Sequence, residues 1–97
     1  MHVAALVIDL HLPDALTLKS KRAVLRPLLE GLRRRYSVSV AEVGHQDKWQ
    51  RATVGVSVVA GTVSHATDVL DGVERFVWSF PEVQVLEITR HWLEVTP

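Results

Sequence analysis

The chain contains no cysteine, which excludes disulfide frameworks, thiolate zinc sites and cysteine nucleophiles. It also lacks asparagine and has only three glutamines and one methionine. Scarcity of thermolabile side chains points towards a thermophilic source, while eight arginines against three lysines equally suit a GC-rich genome. Long apolar runs are missing as well. The opening Met1–Ile8 stretch has no basic flank and is cut by Asp9. It reads as neither signal peptide nor membrane span, so a cytoplasmic location without membrane contact is expected. Five glycines, four prolines and no low-complexity tract exclude a disordered tail, a collagen-like rod and a coiled coil. What remains is ordinary globular material: 97 residues, 47% hydrophobic and 23% charged. Such a length fits one domain, residues 1–97, able to bury roughly 65% of its unfolded surface.

The formal net charge is zero, but the charges are unevenly placed. Residues 1–51 carry nine basic and five acidic side chains, residues 52–97 two and six. Between Lys19 and Arg35 there are seven basic residues against Glu30 alone. A neutral protein with one such segment carries a concentrated positive field.

Hydrophobic periodicity predicts strand, helix, strand, strand, helix, strand. His2–Leu12 alternates, with Ala4, Leu6, Ile8, Leu10 and Leu12 on one parity, and Pro13 ends it. Lys19–Arg35 repeats Val24, Leu25, Leu28, Leu29 and Leu32 at helical spacing, with a kink expected at Pro27. Gly31 weakens that helix by about 1 kcal/mol relative to alanine. Ser37–Val43 and Arg51–Ala60 read as strands around a polar turn. Ser64 is the expected N-cap of a helix reaching Ser79, before Pro81. Val83–Val95 supplies the last strand. Right-handed crossovers and a short middle connection make this an α+β, ferredoxin-like βαββαβ sandwich. Its four-stranded antiparallel sheet has order 4-1-3-2, and both helices lie on one face. Leu29 and Phe76 are expected to be buried between the layers. Val3, Ala5 and Val7, with Val83, Val85, Leu93 and Val95, fall on the parity facing away from the helices. That apolar set predicts a homodimer through the open face.

Leu18-Lys19-Ser20-Lys21-Arg22 and the run from Ser39 to Ala52, with Glu42-Val43-Gly44-His45-Gln46-Asp47-Lys48-Trp49 at its centre, resemble the signatures of the YlxP-like family. These are small bacterial proteins known as a domain of unknown function, and the likeness runs through nearly the whole chain. Two departures from the family pattern are Gly44, where the resemblance implies an acidic residue, and the helix-interior Pro27. The resemblance implies a ferredoxin-like fold, no established activity or cofactor, and genes lying among those for translation initiation and ribosome maturation. An RNA or ribosomal partner is the corresponding expectation.

The residues point the same way. Lys19, Arg22, Arg26 and Arg33 form one helical stripe opposite Leu25, Leu28 and Leu32. With Lys21, Arg34 and Arg35 they can meet successive phosphates through forked hydrogen bonds. The plainer reading is a solvated helix face whose last three arginines complement the helix dipole. Lys48, Trp49, Gln50, Arg51 and Gln46 in the middle loop would add base contacts. Trp49 either stacks on a base or lies as a lid over the sheet end, the reading the sequence favours. The central strands carry no aromatic residue, so base stacking on the sheet is excluded. Glu42, expected to pair with Arg51 or a helix arginine, forms with His45 and Asp47 no known metal-ligand spacing. Ser39, His45 and Asp47 come without a nucleophile elbow or oxyanion loop. A non-enzymatic binding domain without metal or cofactor is therefore expected. The alternatives are an assembly module using the open sheet face and a small-molecule or metal-using enzyme centred on residues 42–51.

Overall fold

A computed structural model describes residues 1–96. The elements are β1 (His2–His11), α1 (Leu18–Tyr36), β2 (Ser39–Gly44), β3 (Arg51–Ala60), α2 (Val63–Trp78) and β4 (Gln84–Glu94). The sheet is ordered β2-β3-β1-β4 with every neighbouring pair antiparallel. This is the expected 4-1-3-2 order read from the other edge.

Alternation in the strands decides what the helices cover. Ala4, Leu6, Ile8 and Leu10 of β1 and Ala52, Val54, Val56 and Val58 of β3 are buried beneath α1 and α2. From the helices, Leu25, Leu28, Leu32, Leu70, Val73 and Val77 close the same core. Leu29 and Phe76 are only half-buried at its rim, contrary to expectation, because each sits one position round from the innermost line of its helix.

The caps account for several boundaries. Thr17 accepts from Ser20 N at 3.0 Å, and Ser20 reciprocates to the Thr17 backbone, a capping box that starts α1 at Leu18. Thr62, not Ser64, caps α2 by accepting from His65 N at 3.1 Å. Ser37 adopts φ 51°, the left-handed conformation that stops α1, so β2 begins at Ser39 instead. Pro27 lies within α1, which runs as one helix from Leu18 to Tyr36. The proline and Ala23, whose carbonyl loses its partner, both lie on the exposed side, where water can satisfy that oxygen.

Two bulges re-aim side chains. Asp9 pairs with Glu87 but Leu10 with Val85, so Leu86 is the extra residue in β4. The shift turns Val85 and Val83 into the helix-covered core, correcting their expected place on the open face. On the opposite edge Glu42 pairs with Val54 and Gly44 with Thr53, which leaves Val43 as the extra residue in β2.

The helix pair meets through reciprocal glycines. A Cβ on Gly31 of α1 would lie 2.6 Å from the Phe76 ring of α2, and one on Gly72 of α2 equally close to the Tyr36 ring of α1. Gly31→Ala gains about 1 kcal/mol of helix propensity. It forces a repacking that costs about 1–3 kcal/mol. The variant is expected to be less stable in urea titrations, and adding Phe76→Leu should restore most of the loss. A Gly31→Ala protein as stable as the parent would show that the ring moves freely aside.

Candidate functional site

Lys21 is the best-buried charged side chain in the protein, at 2% exposure. Its ammonium donates to the carbonyls of His45 and Lys48, both at 2.7 Å, and lies 2.7 Å from Glu42 Oε2. Two carbonyl hydrogen bonds and one close ion pair thus compensate the buried ammonium, and Glu42 Oε2 gains a counter-charge without an aligned hydrogen bond. Lys21 is therefore withdrawn from the phosphate-binding set. Glu42 pairs with this lysine rather than with Arg51 or a helix arginine. A signal for this was present: Lys21, Leu25, Leu28 and Leu32 recur at helical spacing on the apolar stripe, not the basic one.

The consequence is a fixed loop. Lys48 N donates to His45 O at 3.0 Å, closing a turn in which His45 adopts φ 58°. Beyond it, Leu12 N donates to Gln50 O at 2.9 Å, and Gln50 Nε2 donates to Pro13 O at 3.2 Å. Trp49 sits between these two tethered residues and is 54% exposed. It is not the lid expected from sequence. With Asp47, Lys48, Gln50 and Arg51 it lines a shallow depression of about 430 Å³.

The remaining basic residues divide by what they touch. Among the described residues, Lys19, Arg22, Arg26 and Arg34 are exposed and form no ion pair. Arg33 is partly committed: it donates to Glu30 at 2.6 Å and to the Val40 carbonyl at 2.9 Å, tying α1 to β2. Arg35 lies over the Phe76 ring, 5.0 Å from its centroid. Arg51 belongs to the open face, half-buried, with a buried Nε that has no protein partner. Gln46 turns back to the Glu42 carbonyl at 3.3 Å. Lys21 thus holds the loop carrying Lys48 and Trp49 against the N-terminal half of the helix that exposes Lys19, Arg22 and Arg26.

On the acidic half of the chain, Arg90 of β4 donates to Asp71 at 2.6 Å and Glu74 at 2.7 Å, clamping α2 to the sheet. The hydrogen bond to Asp71 foremost, with Glu74 adding to it against the effect of burial, raises the Arg90 pKa above its ordinary value. No three His, Asp or Glu side chains converge as a metal-ligating group among the described residues. No helix among them is long and apolar enough to cross a membrane.

The order β-α-β-β-α-β, with four antiparallel strands and two helices on one face, defines a ferredoxin-like α+β sandwich. A de novo designed protein, Foldit4, superposes with a TM-score of 0.58 at 12% identity, covering 99% of this chain and 100% of the design. A second design, LFR1 1, described as having a ferredoxin fold, gives 0.47 at 15% identity over 99% of this chain and 88% of its own. Residues 3–90 match the family described as a protein of unknown function, DUF503, and the chain belongs to it. The uncharacterized protein YlxP of Bacillus subtilis (strain 168) is 37% identical over 79 residues, 81% of this chain and 86% of that protein.

Proposed function

We propose that the protein is a non-enzymatic binder of RNA, free or within a ribonucleoprotein, that holds phosphates along α1 and one base on Trp49. The observation that carries this reading is the Lys21 anchor. An exposed indole on a loop pinned at both neighbours is pre-organised for stacking, and unpaired Lys19, Arg22 and Arg26 lie on the helix to which that loop is tied. Phosphate contacts fix position without reading sequence, so recognition is by shape and charge with little sequence preference. Asp47 in the same loop is exposed and disfavours phosphate there, so the phosphate contacts are assigned to α1.

The test is binding of a structured RNA across a salt series. Affinity is expected to fall steeply with salt, by roughly 0.7–0.9 log units per log unit for each phosphate held. Arg22→Ala combined with Arg26→Ala should flatten that slope by about two contacts and weaken all RNAs alike. Trp49→Ala should keep the slope and lose about 1–3 kcal/mol of affinity. No binding at about 50 mM salt, or indifference to the paired arginine change, would overturn the reading.

A further inference from the structure

The two edges of the sheet, β2 and β4, are built differently. Alternation from the Leu12–Gln50 hydrogen bond turns Ser57 and Gly55 of β3 towards β2, so Val40 and Glu42 point their carbonyls outward. Both carbonyls are taken: Arg33 donates to Val40 O at 2.9 Å, and Gln46 Nε2 to Glu42 O at 3.3 Å. With its bulge at Val43, this edge is closed to a further strand. On β4 the stretch Glu87–Glu94 keeps regular register with β1 and contains neither proline nor lysine. Met1 and Val95 exchange both backbone hydrogen bonds. Alternation from that pair aims the N–H and C=O of Leu93, His91 and Thr89 at β1, and those of Trp92, Arg90 and Ile88 outward. Among the described residues no side chain bonds to these outward groups. One edge is sealed and the other open.

We infer that a second copy of this chain pairs at the open edge, β4 against β4, to make one antiparallel sheet of two chains. The two-fold axis stands perpendicular to the sheet, between Thr89 and the partner's Thr89, and the contact is isologous. Ile88 then exchanges both backbone hydrogen bonds with the partner's Arg90, and Arg90 with the partner's Ile88. Between them the Thr89 pair is non-hydrogen-bonded, with Cα atoms about 4.5 Å apart and the hydroxyls in reach of each other. On the face away from the helices, Glu87 lies opposite the partner's His91. The acidic end of each copy, where Asp9 neighbours Glu87, thus receives an imidazole. At the ends of the ladder Leu86 meets the partner's Trp92, side chains that are 52% and 46% exposed in the single chain. Charge fixes the register. Centring on Arg90 sets the two Arg90 side chains against each other and Glu87 against Leu93. Centring on Ile88 sets Glu87 against Thr89 and Leu86 against Arg90. This axis keeps all helices on one face and leaves each α1, tied by Arg33 to β2, at the far edge. The dimer is therefore independent of RNA binding. One strand pair covers less than a standard interface, so a dissociation constant on the order of 100 μM is expected.

Sedimentation and light scattering of the full chain between about 10 μM and 2 mM should show a rise towards twice the 10.9 kDa chain mass. Over the same range the amides of Ile88 and Arg90 should gain protection from hydrogen exchange. His91→Glu sets carboxylate against carboxylate at both ends of the ladder. It should weaken the dimer by at least about 10-fold with an unchanged circular dichroism spectrum. Adding Glu87→Lys should restore the dimer. Val59→Arg, on the uncovered face of β3 and two strands from the junction, should leave it intact. A chain that stays at single mass throughout, or Ile88 and Arg90 amides unprotected in the dimer, overturns the inference. So does a His91→Glu protein that dimerises like the parent, or one that Glu87→Lys does not rescue. Loss of the dimer in Val59→Arg would place the contact on the sheet face and overturn it equally.

Discussion

Lys21→Met is expected to lower stability by about 3 kcal/mol, a fall in melting temperature on the order of 10–20 °C for a domain of this size. Methionine fills nearly the same space, so packing is retained and the loss is electrostatic. Removing the ammonium leaves the half-buried Glu42 carboxylate without its counter-charge and the His45 and Lys48 carbonyls without their donor. Unsatisfied groups of this kind cost more than the intact pair contributes. Lys21→Met with Glu42→Leu should therefore recover part of the loss, since no carboxylate is then stranded. The effect should persist at high salt, because a buried pair is weakly screened. Lys19→Met, two residues away on the exposed side, should change stability by no more than about 0.5 kcal/mol. A Lys21→Met protein within that same margin would mean that the loop does not depend on this anchor. Hydrogen exchange offers an independent measure: amides of residues 45–50 should lose protection before those of β1 and β3.

Leu28→Ala should cost about 2–5 kcal/mol, and Leu29→Ala distinctly less, about 1 kcal/mol. Leu28 is fully buried among the side chains between α1 and the sheet, whereas Leu29 packs only at the edge of that core. Truncation at position 28 leaves a cavity that its neighbours cannot fill. At position 29 water enters instead. Urea titrations with an unchanged slope would report the difference directly. Equal losses at the two positions would require α1 to be rotated by about one residue, roughly 100°.

Both expectations turn on which member of a periodic stripe lies innermost, a point at which sequence reading stops short. The stripe on α1 marks the buried side, but it does not separate Leu28 from Leu29. It also gives no weight to a lysine placed in line with leucines. Composition places Lys21 in the basic cluster, and Glu42 together with the nearby carbonyls of the β2–β3 loop makes its burial favourable. Those carbonyls are twenty-four and twenty-seven residues away in the chain. Trp49 shows the reverse case. Its position in a polar loop was clear, but its exposure follows from the tethers on Lys48 and Gln50.

The order of elements, the parity of β1 and β3, the buried stripes of both helices and the antiparallel sheet are all legible in the chain without its fold. Each rests on a periodicity of two or 3.6 residues and on short connections, which are local properties of the chain. Tertiary structure decided what depends on a partner far away along it. The β4 bulge at Leu86 moves Val83 and Val85 into the core because register is set by pairing with β1, not by alternation within β4. Gly31, a weak point when α1 is considered alone, is the opening that admits the Phe76 ring. The basic segment likewise separates into an anchor at Lys21, ties at Arg33 and Arg35, and an exposed set at Lys19, Arg22, Arg26 and Arg34 that forms no ion pair among the described residues. A charge acquires its role from the atoms that fold against it, and those are not its neighbours in sequence.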